Sequence, residues 1–301
     1  MNTPGRYASL QGRAVIVTGA GRGFGRLIAL ALVEQGARVL GTSARAGAEL
    51  LETATAAGAA IQASGLGGEF AALQADVARP EDCERTVDEA IRRFGRLDVL
   101  VNNAARGPLE ADSNYFAAKP RFWNAPPDAY RTMVETNLLG PFFMARAAVP
   151  GMVERRFGRV INVSTSRPTM VMQGLAAYGA TKAGLEVNSV VWAKDLEGSG
   201  VTVNVLLPGG PSDTALIPGG TVGTRAPADF RAGKAATGDE GRIGGILPAE
   251  VIVPPALWLC ADESGDYSGR RLVAKDWDPE LPWRDALTRA LQPRQNAPSI
   301  M

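Results

Sequence analysis

A short apolar run, Ala14–Val17, passes at once into Thr18-Gly19-Ala20-Gly21-Arg22-Gly23-Phe24-Gly25 and then into an apolar-periodic segment from Leu27 to Gln35. Strand, glycine-rich turn and helix in that order restrict the chain to folds in which a buried strand hands directly to a helix packed on its own sheet. Such a turn also lets main-chain amides approach a pyrophosphate, with the helix N-terminus adding partial positive charge behind it. A plain glycine-rich loop is the competing reading, and the strand before and helix after argue against it.

The same alternation runs on. Strands are expected at Arg38–Thr42, Ala71–Ala75, Leu97–Val101, Arg159–Ser164, Val201–Leu207 and Gly269–Ala274. Helices are expected over Ala46–Glu69, with a loose extension around Ala63–Gly68, and over Glu81–Phe94, Ala129–Val149, Ala176–Leu196 and Val251–Cys260. This pattern implies an α/β fold: a single doubly wound Rossmann-type domain, mostly parallel in its sheet, with helices on both faces. The domain is expected to span 1–275, with a polar tail at 276–301. Two segments exceed a minimal connection. The first, 106–128, carries Tyr115, Phe116, Phe122 and Trp123 among prolines, and reads either as a surface excursion packed by its own aromatics or as a lid over an apolar substrate. The second, 211–247, is rich in Gly, Ala and charge and is expected to be a mobile substrate loop with one short helix.

Composition narrows the partners. Thirty-two basic residues against 31 acidic ones, with no basic block, speak against nucleic acid. The two cysteines, Cys83 and Cys260, make neither a metal-ligand pattern nor a disulfide framework, so no metal is expected and a reducing cytoplasm is. Residues 1–10 lack an apolar run, and nowhere does one approach membrane-spanning length.

The chain contains no histidine, so any proton transfer near neutral pH needs another pair. Tyr178 and Lys182 are four residues apart, and on a helix over Ala176–Leu196 they share one face. A cation beside a phenol favours phenolate, so Lys182 is expected to lower the Tyr178 pKa towards the working range. Taken alone, such a pair is more often a packed ring and a solvated charge.

Its company changes that. Gly19, Gly23 and Gly25 form Gly-x-x-x-Gly-x-Gly; Asn102-Asn103-Ala104-Ala105 ends a strand; Asn137 lies on the next helix; and Thr165 stands thirteen residues before Tyr178. Together these motifs resemble the classical branch of the short-chain dehydrogenase/reductase family, with Ala105 where glycine is usual and Thr165 where serine is usual. The resemblance implies an oxidoreductase that moves a hydride between a nicotinamide and a carbonyl or secondary alcohol, a small-molecule substrate, with Tyr178 as acid/base. Lys182 would hold the nicotinamide ribose, Thr165 the substrate oxygen, and Asn137 would support Lys182 through a water. Ser164 or Ser166 would replace Thr165 if the strand end is kinked. Around the cofactor the resemblance implies Gly19, Arg22, Gly23, Phe24, Gly25, Asn103, Ala104, Pro208 and Gly209. Asp76 with Val77 would meet the adenine, unless Asp76 caps the helix beginning near Pro80. Thr214 lies one residue beyond the family's usual threonine. By the same analogy the chain would form a homodimer or homotetramer. A fold that binds the cofactor as a non-catalytic sensor is the alternative.

The turn after the second strand bears on the choice of cofactor. A carboxylate there would bind the NAD ribose and repel the 2′-phosphate of NADP. This chain has Ser43-Ala44-Arg45, with Arg22 able to approach from the glycine turn, so NADP(H) is expected ahead of NAD(H).

Overall fold

A computed structural model of the chain describes residues 7–45, 47–108, 121–214, 236–237, 241–242 and 246–293. β1 (Ala14–Thr18) turns through the glycine run into α1 (Gly23–Glu34). β2 (Arg38–Ser43), α2 (Ala48–Ser64), β3 (Glu69–Gln74), α3 (Pro80–Phe94) and β4 (Val99–Asn102) follow. Then come α4 (Pro127–Val134), a π-helical turn (Glu135–Leu139) and α5 (Gly140–Glu154). β5 (Gly158–Val163), the short α6 (Arg167–Met170), α7 (Ala176–Asp195) and β6 (Val201–Leu207) continue the alternation. β7 (Ala236–Thr237) and β8 (Gly241–Arg242) pair antiparallel, and α8 (Val253–Cys260), β9 (Arg270–Val273) and α9 (Trp283–Ala290) complete the description.

Seven strands make one parallel sheet in the order β3-β2-β1-β4-β5-β6-β9. Every residue of β1, β5 and β6 is buried, as expected of parallel strands covered on both faces. The two-residue period of β1 divides its side chains between two cores. Val15 and Val17 pack with Ile28, Leu32 and Trp258 on one face; Ala14 and Ile16 pack with Val87, Met144 and Met152 on the other. The strand order reverses between β1 and β4, which opens a crevice at their carboxyl ends.

Some expected boundaries move. α2 ends at Ser64, inside the expected loose extension, where Gly65 takes the left-handed conformation (φ 64°) and its N–H bonds the Ile61 carbonyl; β3 begins at Glu69, two residues before the expected Ala71. The helix expected over Ala129–Val149 is instead α4, the π-turn and α5 in succession. The polar tail contains α9, whose Ala286, Leu287 and Ala290 are buried. Trp283 packs 5.8 Å from Trp258, and Leu291 bridges Leu272, covering the free edge of β9. Helical spacing of three apolar residues is the signal that the tail's overall polarity hid. Phe122 and Trp123 pack edge-on at 5.1 Å yet both stay largely exposed. Residues 109–120, with Tyr115 and Phe116, and most of 211–247 lie outside the described residues.

Candidate active site

The crevice is closed at its base by hydrogen bonds between strand ends. Thr18 Oγ1 accepts from the main-chain N–H of Asn103 and of Ala104, each at 3.0 Å. Asn103 Nδ2 donates back to the carbonyls of Thr18 (2.9 Å) and Gly19 (3.2 Å). This knot requires glycine at position 25, where a Cβ would overlap both the Gly19 carbonyl and the Asn103 side-chain amide. Asn102 points the other way, donating to Asn162 Oδ1 at 2.9 Å, while Asn162 Nδ2 donates to Ser189 Oγ at 2.8 Å. That buried chain ties β4, β5 and α7 together.

Above the knot lies a cavity of ≈ 760 Å³. At one end Ser43, Arg45, Asp76 and Val77 line it, and no carboxylate terminates β2. Asp76 Oδ1 accepts from the Ala78 N–H at 3.0 Å in a local turn, while Arg79 and Pro80 start α3; the carboxylate does not cap the helix. In the middle Gly19, Arg22, Gly23 and Phe24 line it. α1 begins there with no side-chain cap, which leaves its first amides without a capping side chain beside the cavity. Arg22 lies 3.6 Å from Glu49 in a largely exposed pair that contributes little. Thr214 packs over this turn, 3.6 Å from where a Gly23 Cβ would stand.

At the other end the cavity meets Thr165, Tyr178, Lys182, Pro208 and Gly209. Tyr178 and Lys182 are buried on α7, and Thr165, also buried, is the hydroxyl that acts on the Tyr178 phenol. Ser164 Oγ instead donates to Glu186 at 2.8 Å, and Ser166 Oγ caps α6 by accepting from the Thr169 N–H. Of the three hydroxyls, Thr165 is therefore the one that meets the tyrosine. Gly179 lets α6 pass close by: a Cβ there would overlap the Met170 carbonyl. The π-turn buries Asn137 completely. Its Oδ1 accepts from the Arg106 N–H (2.8 Å), and its Nδ2 donates to the Arg106 carbonyl (2.9 Å) and to Thr181 Oγ1 (3.3 Å). Asn137 thus clamps the chain after β4 to the Tyr178 helix, and these bonds go to Arg106 and Thr181, not to Lys182. A π-turn at such a position is a frequent mark of a functional site.

The short chain dehydrogenase family model matches residues 13–217, which take in the glycine turn, Asn103, Asn137, Thr165, Tyr178, Lys182 and Gly209. The chain belongs to that family. It is 34% identical over 265 residues to the 3-oxoacyl-(acyl-carrier-protein) reductase FabG of Salmonella typhimurium, covering 88% of this chain and 96% of that one. It is 33% identical over 266 residues to a short-chain type dehydrogenase/reductase of Picea abies, covering 88% and 91%. A crystal structure described as a short-chain alcohol dehydrogenase from Sinorhizobium meliloti 1021 superposes with a TM-score of 0.71 at 27% identity, covering 89% of this chain and 96% of that one. As a short-chain dehydrogenase the chain is an NAD(P)-dependent oxidoreductase. The uncapped helix and the glycine turn fit a dinucleotide.

The electrostatics of this dehydrogenase depart from the expectation for Tyr178. Burial pushes the phenol up to about 12, with the Thr165 hydrogen bond acting in the opposite sense. Burial pulls the Lys182 ammonium down to about 8, opposed by Glu186. Lys182 Nζ lies 6.0 Å from the centroid of the Tyr178 ring, and desolvation outweighs the neighbouring cation. Sequence reasoning overlooked Thr18, Glu186 and Arg271. Glu186 was one helical turn from Lys182; for Arg271 no local signal exists, because β9 reaches the site only through the sheet. Among the described residues no group of three or more His, Cys, Asp or Glu is placed to hold a metal, and no helix is long and apolar enough to cross a membrane.

Proposed function

We propose that this protein is an NADP(H)-dependent carbonyl reductase in which Tyr178 protonates the substrate oxygen. The observation that carries the reading is the cluster of Thr165, Tyr178 and Lys182, all three buried and all lining the end of one continuous cavity. Ser43 and Arg45 at the far end, with Arg22 beside the glycine turn, supply donors and positive charge for a 2′-phosphate. Gly19, Gly23, Phe24, Gly25, Asn103, Ala104, Asp76, Val77, Pro208 and Gly209 would shape the dinucleotide site, and Thr214 over α1 would join them. When bound, the nicotinamide supplies the hydride to the carbonyl carbon.

The protein's own residues handle the proton. A phenol held near 12 is protonated at neutral pH and serves as an acid, which suits reduction of a carbonyl. Thr165 donates to the oxygen where negative charge develops. Lys182 supports the phenolate left behind, and Asn137 holds α7 to the segment after β4. Pro168, Met172 and Leu175 line the substrate end and favour an apolar body next to the carbonyl; the 3-oxoacyl reductases among its relatives point to a 3-oxo compound as the first candidate. Exposed Phe142 and Val153 on α5 and Val191 on α7 support self-association as a dimer or tetramer, which light scattering would test.

The reading is tested by mixing the purified protein with NADPH or NADH and a panel of 3-oxoacyl thioesters, ketones and quinones. Cofactor oxidation that prefers NADPH is expected. Binding of NADPH without turnover on any carbonyl would favour the non-catalytic sensor, and tighter binding of NADH would overturn the assignment of Arg45.

A further inference from the structure

One turn beyond Lys182 on α7, Glu186 is four-fifths buried in an ion pair with Arg271 of β9, both side chains 18% exposed. Arg271 Nε lies 3.2 Å and 3.0 Å from the two carboxylate oxygens, and Arg271 Nη2 donates to the Thr165 carbonyl at 3.2 Å. Ser164 Oγ donates to the same carboxylate at 2.8 Å. The two residues therefore grip the chain just after β5, at Ser164 and at Thr165, from a helix and a strand that are far apart in sequence. The Arg271 main chain is held in turn, its carbonyl accepting from the Gln292 N–H at 2.9 Å.

We infer that Glu186 and Arg271 are positioning residues that hold the Thr165 main chain and the Lys182 ammonium in register with Tyr178. A buried ion pair is weak as a source of stability, since desolvating two charges offsets most of their attraction. Its geometry is better suited to fixing three groups at once: a carboxylate, a hydroxyl and a carbonyl on adjacent elements. The charge that acts on Lys182 is Glu186 on its own helix, itself paired with Arg271 of β9; from β5 Lys182 meets the Val163 carbonyl, and from α7 the Tyr178 ring. Glu186 favours the ammonium and Arg271 moderates Glu186. Removing each should thus move the Lys182 titration in opposite directions.

The inference rests on the reductase reading for its kinetic part and stands apart from it for its ionisation part. Glu186→Gln, Arg271→Met, Arg271→Lys and the double variant Glu186→Leu/Arg271→Met would be compared with wild type. The rate readouts are kcat, KM and the NADPH Kd. The ionisation readout is the pH midpoint of the stability difference between each protein and its Lys182→Met counterpart, measured without cofactor or substrate. Each single variant should lose kcat by about 10- to 100-fold, a range set by sub-ångström misplacement, with the NADPH Kd within about twofold. Glu186→Gln should lower the Lys182 midpoint and Arg271→Met should raise it. Arg271→Lys, which keeps the charge but not the fork that reaches both Glu186 and Thr165, should restore the midpoint and only part of kcat. The double variant should regain stability and remain slow. A double variant that recovers wild-type kcat would reduce the pair to a structural contact and overturn the inference, as would midpoints that stay put. If wild type turns over no carbonyl while the midpoints shift as stated, the reductase reading fails and the effect of the pair on Lys182 stands.

Discussion

Lys182 Nζ donates to the main-chain carbonyl of Val163 at 2.8 Å, so the ammonium is anchored to the end of β5 and not to the phenol it accompanies on α7. That bond separates two duties that the spacing of Tyr178 and Lys182 suggests are one. Burial pushes the Tyr178 phenol up to about 12 and pulls the Lys182 ammonium down to about 8, each by its own desolvation.

In the proposed reduction, replacing Tyr178 by phenylalanine removes the proton donor and little else. Turnover should fall by about 100- to 10,000-fold, the usual contribution of a positioned proton donor, while NADPH affinity stays within about twofold. Steady-state rates and a fluorescence titration of the same preparation check both halves, and a fully active variant would dismiss Tyr178 as the proton donor.

The Lys182 titration has a defined sign. Its folded pKa is depressed to about 8 from an unfolded value near 10.5, so below about pH 8 the native state holds a buried cation at full cost. Between about pH 8 and 10.5 the unfolded chain binds the extra proton, and stability attributable to this group rises with pH. Denaturant unfolding of wild type and Lys182→Met across that window should show the advantage of the methionine variant shrinking as pH rises. A gap that is constant or widening would contradict the burial-driven shift.

Gly25→Ala places a methyl against the Gly19 carbonyl and the Asn103 amide. Overpacking of this kind costs about 1–3 kcal/mol, and it would push apart the strand ends that Thr18 and Asn103 tie together. Both a lower melting temperature and loss of NADPH binding are expected; calorimetry with and without NADPH would find a variant no longer stabilised by the cofactor.

Arg45→Ala should weaken NADPH binding by about tenfold, the equivalent of one charge-assisted hydrogen bond to the 2′-phosphate. NADH affinity should stay within about twofold. Competitive titration of the two cofactors reads the ratio directly, and an equal loss for both would mean that Arg45 supports the site in general and does not discriminate the phosphate.

The sequence by itself determined the alternation of strand and helix, and with it the crevice. Ala14–Val17 in β1 and Val99–Val101 in β4 are unbroken apolar runs that demand cover on both faces, and the glycines at 19, 23 and 25 mark the turn where helix and strand must approach closely. It also brought Tyr178 and Lys182 to one face of α7, because helical spacing is local. Tertiary structure alone decided which of Ser164, Thr165 and Ser166 faces the phenol, since that depends on how β5 ends against Glu186 and α6. It decided the ionisation of Tyr178 and Lys182, which burial governs more than their mutual spacing. It brought Arg271 to Thr165 across 106 residues of sequence and folded the tail back onto Trp258. Periodicity records which face of an element is apolar; what that face meets, and how dry the contact is, is set only when distant elements pack.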